Sequence, residues 1–171
     1  AKLTAMMLRA ERKEWKDGRD YVYPDNLDKT VIPQPILDFF ETIHDMSIPD
    51  DELFKTSLEI EIGGMPCKYA WGGVHGSLTA YYEEATDDRL LQNRDVSSLY
   101  PSLIEIYKYL SRNVPDPELF YAIKRDRIEA KHTGDKQTAK DLKLPLNTVS
   151  GAQENKYNDL YDPLPTRSLR I

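Results

Sequence analysis

The 171-residue sequence contains one cysteine, Cys67, so it has no internal disulfide and no cysteine-cluster metal site. It has no apolar run near the roughly 18 residues that a membrane-spanning helix needs. It does not open on a charged-then-apolar leader. These absences exclude a disulfide-stapled scaffold and a helical membrane protein, and they point to a reducing, cytoplasmic setting. A basic balance is missing too: 23 Lys and Arg stand against 29 Asp and Glu, a formal net charge of -6. By itself that total argues against a polyanionic partner. The total hides a local reversal, because between Lys124 and Lys143 seven Lys and Arg stand against four Asp and Glu. Any phosphate-binding surface is expected there. Repeats and low-complexity tracts are also absent, which leaves one domain, or one domain with a projecting subdomain.

Ala1 to Trp15 fits either a short helix or a strand. Trp15 to Pro35, with Asp17-Gly18 and Pro24-Asp25, reads as irregular chain with a short extended piece at Tyr21 to Tyr23. Ile36, Phe39, Phe40 and Ile43 recur at helical spacing and predict an amphipathic helix ending near Met46. Leu58 to Ile62 alternates with period two, Gly63-Gly64 supplies a tight turn, and Met65 to Trp71 runs back, which predicts a β-hairpin. Gly72 to Gly76 breaks the pattern. Ser77 to Tyr82 and Arg89 to Val96 are expected as further strands around a turn at Asp87-Asp88, the last one ending at Asp95.

From Pro101 the pattern becomes helical, with Leu103, Ile104, Tyr107 and Leu110 on one side. Glu118 to Lys131 and Lys136 to Asn155 flank Thr133-Gly134-Asp135 and predict an antiparallel helical hairpin with a bend at Pro145. Asp162-Pro163 closes this segment, and Arg167 to Ile171 begins a strand or a helix. The fold class is α+β.

Lys136, Lys140, Lys143 and Asn147 fall at i, i+4, i+7 and i+11, one face of a continuous helix. Lys124, Arg127 and Lys131 form a second cationic stripe on the preceding helix. The two stripes either flank a phosphate-rich ligand or are solvated faces. Asp95, expected at a strand end before a helix start, either holds a metal together with substrate phosphate or is structural. Cys67 and His75 read as structural residues, as do His44 and His132. Most of the eleven tyrosines read as packed positions.

Asp95-Val96-Ser97-Ser98-Leu99-Tyr100-Pro101-Ser102 resembles motif A of family B DNA polymerases, D-x-x-S-L-Y-P-S. Lys143-Leu144-Pro145-Leu146-Asn147-Thr148-Val149-Ser150-Gly151 is similar to motif B, K-x-x-x-N-S-x-Y-G, and lies in the right order. The continuation from Gly151 to Pro163 looks most like the polymerases of phages and prophages of Gram-positive bacteria. The resemblance implies a partial palm over 1–116, with an antiparallel sheet bearing Asp95. It also implies a protruding fingers hairpin over 117–156 and a return toward the palm over 157–171.

It further implies the roles of single residues. Asp95 would be the catalytic metal carboxylate, and the backbone at Ser98 and Leu99 would meet the triphosphate. Tyr100 would be the steric gate. Arg127, Lys131, Lys143 and Asn147 would bind the phosphates of the incoming nucleotide. Gly72 and Gly73 resemble the template-contacting Y-x-G-G loop, although Tyr69-Ala70-Trp71-Gly72-Gly73 carries one residue more, and Gly151 belongs with them as a DNA contact. The implied cofactor is Mg²⁺. The implied partners are a dNTP, primer-template DNA and, in cis or in trans, the missing polymerase segment, with no membrane. The implied location is the cytoplasm of a bacterial host or a phage-infected cell.

Two departures stand against the pattern. Ser150 replaces the motif B tyrosine, and no D-T-D-type motif C appears before Ile171. Asp159 and Asp162 lack its strand-turn-strand setting. The expectation is therefore a DNA-directed DNA polymerase fragment whose phosphoryl transfer requires completion by motif C. The alternative is a catalytically inactive prophage remnant with weak nucleotide or nucleic-acid binding. A third reading is an unrelated binding module.

Overall fold

A computed structural model of the chain describes every residue except Asp17, so the expected Asp17-Gly18 turn lies partly outside the described residues. In chain order the elements are α1 (Lys2–Met7), α2 (Gln34–Glu41), α3 (Asp50–Leu53), β1 (Ser57–Ile62), β2 (Met65–Ala70), β3 (Gly73–Gly76), α4 (Leu99–Tyr107), α5 (Glu118–Thr133), α6 (Lys136–Asp141), α7 (Lys143–Glu154) and α8 (Pro163–Arg170). The mixture of helices with an antiparallel sheet is α+β. No helix among the described residues is long and apolar enough to cross a membrane. The chain divides into two compact units, Ala1–Asp25 with Ser97–Leu169, and Asn26–Val96 with Arg170–Ile171.

The first unit is helical. The open choice at the N-terminus resolves as helix α1. Its core gathers Ala5 and Leu8, Ile104 of α4, Phe120 and Tyr121 of α5, Leu146 and Val149 of α7, and Leu160. Each fully buried Leu, Ile or Phe contributes about 1.5–3 kcal/mol relative to exposure. Gly134 ends α5 at φ 80, a left-handed position that glycine takes without a Cβ clash, and Asp135 then caps α6 by accepting from the Thr138 amide at 3.0 Å.

The second half of the hairpin is not one bent helix. It breaks at Leu142, three residues before Pro145, into α6 and α7. The break places Pro145 in the first turn of α7, where an N–H has no intrahelical partner and its absence costs nothing. Helix α4 stops at Tyr107, with Lys108 left-handed at φ 61, so Leu110 is buried from the following loop rather than from the helix face.

The second unit holds the sheet, ordered β1-β2-β3 and antiparallel throughout. The expected hairpin is present, with Ile62 opposite Met65 across Gly63 (φ 58) and Gly64 (φ 80), the paired left-handed residues that a two-residue turn requires. Cross-strand pairing puts Leu58, Ile60 and Ile62 on one face with Tyr69, Cys67, Met65 and Val74. Trp71 is 7% exposed, its ring 5.1 Å from Phe39, 5.7 Å from Phe40 and 5.8 Å from Phe54, and its Nε1 donates to the Thr56 hydroxyl at 3.1 Å.

Two expectations are corrected here. Gly73 to Gly76 is a strand, not a break, because Ala70 pairs with Gly73 and the ladder continues. Ser77 to Tyr82 and Arg89 to Val96 are not strands. No described strand pairs with them beyond the single Thr86–Arg89 bridge that closes the Asp87-Asp88 turn.

Candidate functional site

The polar cluster that brings Ser98, Arg127 and Lys131 together lies in the first unit, where α5 meets the turn before α4. Ser98 precedes α4 with φ 56 and ψ 52, a left-handed conformation uncommon for a residue with a Cβ. Its carbonyl accepts the Ser102 amide at 2.9 Å, which starts the helix, and the Ser102 hydroxyl donates to the Ser97 carbonyl at 3.3 Å. The reversal aims the Ser98 hydroxyl at α5, where Arg127 Nη1 donates to it. Arg127 Nε also donates to the Ala139 carbonyl of α6 at 3.3 Å, so one guanidinium ties three segments together. One turn on, Lys131 Nζ lies 3.4 Å from the Ser97 hydroxyl. Leu99 and Tyr100 open α4, each 45% exposed.

Lys124, the third cation of the α5 stripe, does not join that cluster. Its ammonium is paired with Glu105 of α4, the two side chains 13% and 28% exposed. Glu105 thus carries a partner that the spacing of the cations alone did not reveal.

On α7 the face of Leu146, Val149, Ala152 and the hydrogen-bonded Gln153 is buried, which turns Lys143, Asn147 and Gly151, at i, i+4 and i+8, toward solvent. A Cβ added at Gly151 meets nothing within 4 Å. The Ser150 hydroxyl donates back to the Asn147 carbonyl at 3.4 Å. The expected four-residue stripe is corrected by the break at Leu142: Lys136 and Lys140 stand on α6, while Lys143 and Asn147 stand on α7.

Asp95, Gly72 and Gly73 belong to the second unit. Gly72 is exposed in the turn between β2 and β3, and Gly73 opens β3. Asp95 is exposed in irregular chain, so the expected sheet-borne carboxylate is corrected: its segment pairs with no strand among the described residues. Among the described residues, no group of three or more His, Cys, Asp or Glu stands close enough to hold a metal ion. Asp95 alone supplies one carboxylate, and a magnesium site built from protein and substrate needs more oxygen ligands than that. These residues by themselves do not fit a Mg²⁺ site.

A second polar assembly escaped the sequence. Asp162 is fully buried and Trp15 stacks on Arg112, whose guanidinium carbon is 3.7 Å from the ring centroid. Trp15 Nε1 donates to Asn113 Oδ1 at 2.7 Å, and Asn113 Nδ2 donates to the carbonyls of Asp159 and Tyr161. Gln153 accepts the Ser111 amide at 2.6 Å and donates to the Tyr109 carbonyl at 3.2 Å. These side chains satisfy buried backbone groups in the loop after α4 and the approach to α8. The assembly is structural.

No family model matches this chain, and neither the curated proteins nor the solved structures contain a match.

Proposed function

We propose that the chain is the nucleotide-binding part of a DNA-directed DNA polymerase of family B, of the phage or prophage type. The observation that carries the reading is the meeting of Arg127 and Lys131 with Ser98 and Ser97, inside the segment that resembles motif A. A phosphate oxygen is a stronger acceptor for these cations than a serine hydroxyl, because both partners are then charged. Arg127 would grip two oxygens through its planar fork, and Lys131 would add a mobile point charge.

Lys143 and Asn147 would supply an exposed cation and amide from α7, with Gly151 leaving room for a close approach of DNA. Tyr100 would pack against the sugar. In the second unit, Gly72 and Gly73 would meet template DNA. Asp95 would contribute one metal carboxylate once a further segment supplies the others, so phosphoryl transfer requires completion of the chain in cis or in trans. The acidic total is compatible with this reading, since only the nucleotide-facing surface must be positive.

Among the described residues no carboxylate cluster gathers around Asp95, and this favours a second reading, a remnant that binds nucleotide weakly and catalyses nothing. Equilibrium titration with a deoxynucleoside triphosphate and with primer-template DNA tests the binding that both readings share. Arg127→Ala is expected to weaken nucleotide binding about tenfold or more, as loss of a charge-assisted bidentate contact does. Leu144→Ala, an exposed position on α7, is expected to leave it unchanged. Equal binding by wild type and Arg127→Ala would sink the assignment of the site. Supplying a motif C segment and recovering primer extension that Asp95→Ala abolishes would separate the polymerase fragment from the remnant.

A further inference from the structure

The three cations on one face of α5 meet three different partners on residues 97–105. Lys131 reaches the Ser97 hydroxyl, Arg127 the Ser98 hydroxyl, and Lys124 the Glu105 carboxylate. Two of these contacts are to neutral groups and one is an ion pair. A guanidinium resting on a hydroxyl and a carbonyl gains by exchanging them for an anion, whereas an ammonium already held by a carboxylate gains little. The stripe therefore divides into two cations available to a ligand and one that is committed to the protein. Glu105 also lies near the Tyr121 phenol, which burial raises above its ordinary value and which the Glu105 and Glu118 charges raise further. Lys124 pairs with Glu105 at this corner, and Lys108 Nζ lies 5.3 Å from the Tyr121 ring centroid.

We propose that Glu105 and Lys124 are a positioning pair: their contact fixes the rotation and register of α5 on α4, so that Arg127 and Lys131 are held over the Ser97-Ser98 turn. This deepens the reading of the site as a triphosphate site and rests on it. Lys124 itself does not touch the ligand. At about 1.5 Å of rise per residue, Arg127 lies about 4.5 Å and Lys131 about 10.5 Å along the axis from Lys124. A rotation or slip of α5 at Lys124 is therefore carried to both. Arg127 also bonds Ala139, so the pair sets α6 as well.

The probe is inorganic triphosphate, titrated calorimetrically into the full chain at several salt concentrations, with folding checked by circular dichroism. Lys124→Met and Glu105→Gln are each expected to weaken binding about fivefold, the upper end for a partly exposed pair. The slope of log affinity against log salt is expected to stay at the wild-type value, because no cation that meets the ligand has been removed. Lys124→Arg, and the charge-reversed double variant Glu105→Lys with Lys124→Glu, are expected to return affinity to within about twofold of wild type. The Arg127 Nε–H resonance in the free protein is expected to shift in the single variants and to return in the double. Glu105→Gln, which keeps the side chain's shape, carries the test if Lys124→Met does not fold.

A shallower salt slope in Lys124→Met without rescue by the double variant means that Lys124 meets the ligand, and overturns the proposal. Single variants that bind as wild type does while Arg127→Ala fails overturn the proposal and leave the triphosphate site standing. Wild-type protein that takes no triphosphate overturns both.

Discussion

Arg112 holds Asp162 by side chain and backbone at once. Its Nε and its own amide both donate to Asp162 Oδ2 at 2.9 Å, and its Nη2 donates to Oδ1 at 2.6 Å. The carboxylate is fully buried while the guanidinium side chain is 45% exposed on one edge, with Trp15 stacked on its plane. The hydrogen bond to Asp162 holds the Arg112 guanidinium above its ordinary pKa, with the carboxylate's charge adding to it.

That asymmetry of burial makes the two deletions unequal. Arg112→Met leaves a buried carboxylate with one amide donor, and is expected to cost about 3–4 kcal/mol. Asp162→Asn leaves an arginine that water can reach, and is expected to cost about 1–2 kcal/mol. Urea unfolding of the two variants checks the order, and equal losses would refute it.

Asp135 gives the α6 cap a defined pH dependence. The Thr138 hydroxyl and, less strongly, its amide hold the Asp135 carboxyl below its ordinary value. A depressed folded-state value means that the cap's contribution is present above the unfolded carboxylate value of about 3.9 and is lost as pH falls through the lower folded value. The Thr138 amide resonance, followed from neutral pH into acid, is expected to move in that window. Asp135→Asn keeps an acceptor and is expected to flatten the response.

Trp71 organises the second unit. Trp71→Ala removes the ring that Phe39, Phe40 and Phe54 surround, and is expected to destabilise this unit by about 3–5 kcal/mol. Hydrogen exchange of the β2 amides is the measurement. Protection unchanged from wild type would show that the aromatic cluster contributes nothing to the sheet.

Lys143 is exposed at the start of α7, so the nucleotide contact proposed for it would be screened by salt. Lys143→Ala is expected to lower dNTP affinity about threefold to tenfold at low ionic strength and to have almost no effect near 1 M, where the screening length is about 3 Å. Titration at both concentrations decides it, and a salt-independent loss would place Lys143 in a packing role.

Local pattern carried α2, α4, α5 and the hairpin. It left α1 open between helix and strand, did not mark α3, and put a strand or a helix from Arg167 where α8 begins at Pro163. The spacing of Ile36, Phe39, Phe40 and Ile43 marked α2, period two with Gly63-Gly64 marked β1 and β2, and Gly134-Asp135 marked the end of α5 and the start of α6. Pro145 gave warning of an irregularity but not of its place, because a helix can meet a proline by bending or by restarting upstream. The segment from Ser77 to Val96 has a strand-like local pattern but forms no strand, because strand propensity depends on an available partner strand, which a local window does not contain.

In the candidate site, the pattern named Arg127, Lys131 and Ser98 but gave no reason for Lys124 to differ from them. The difference lies in Glu105, nineteen residues away in sequence and in contact only after α4 and α5 pack. The Arg112–Asp162 pair was hidden for the same reason, at a separation of 50 residues.

Ser98 sits where a glycine would be more comfortable. A residue with a Cβ in the left-handed region costs about 1–2 kcal/mol that glycine largely avoids, so a choice made on backbone strain alone would remove the side chain. The hydroxyl that Arg127 reaches would go with it. Backbone comfort and the tie to α5 thus oppose each other at a single position: Ser98→Gly is expected to relieve the left-handed strain while Arg127 loses its anchor.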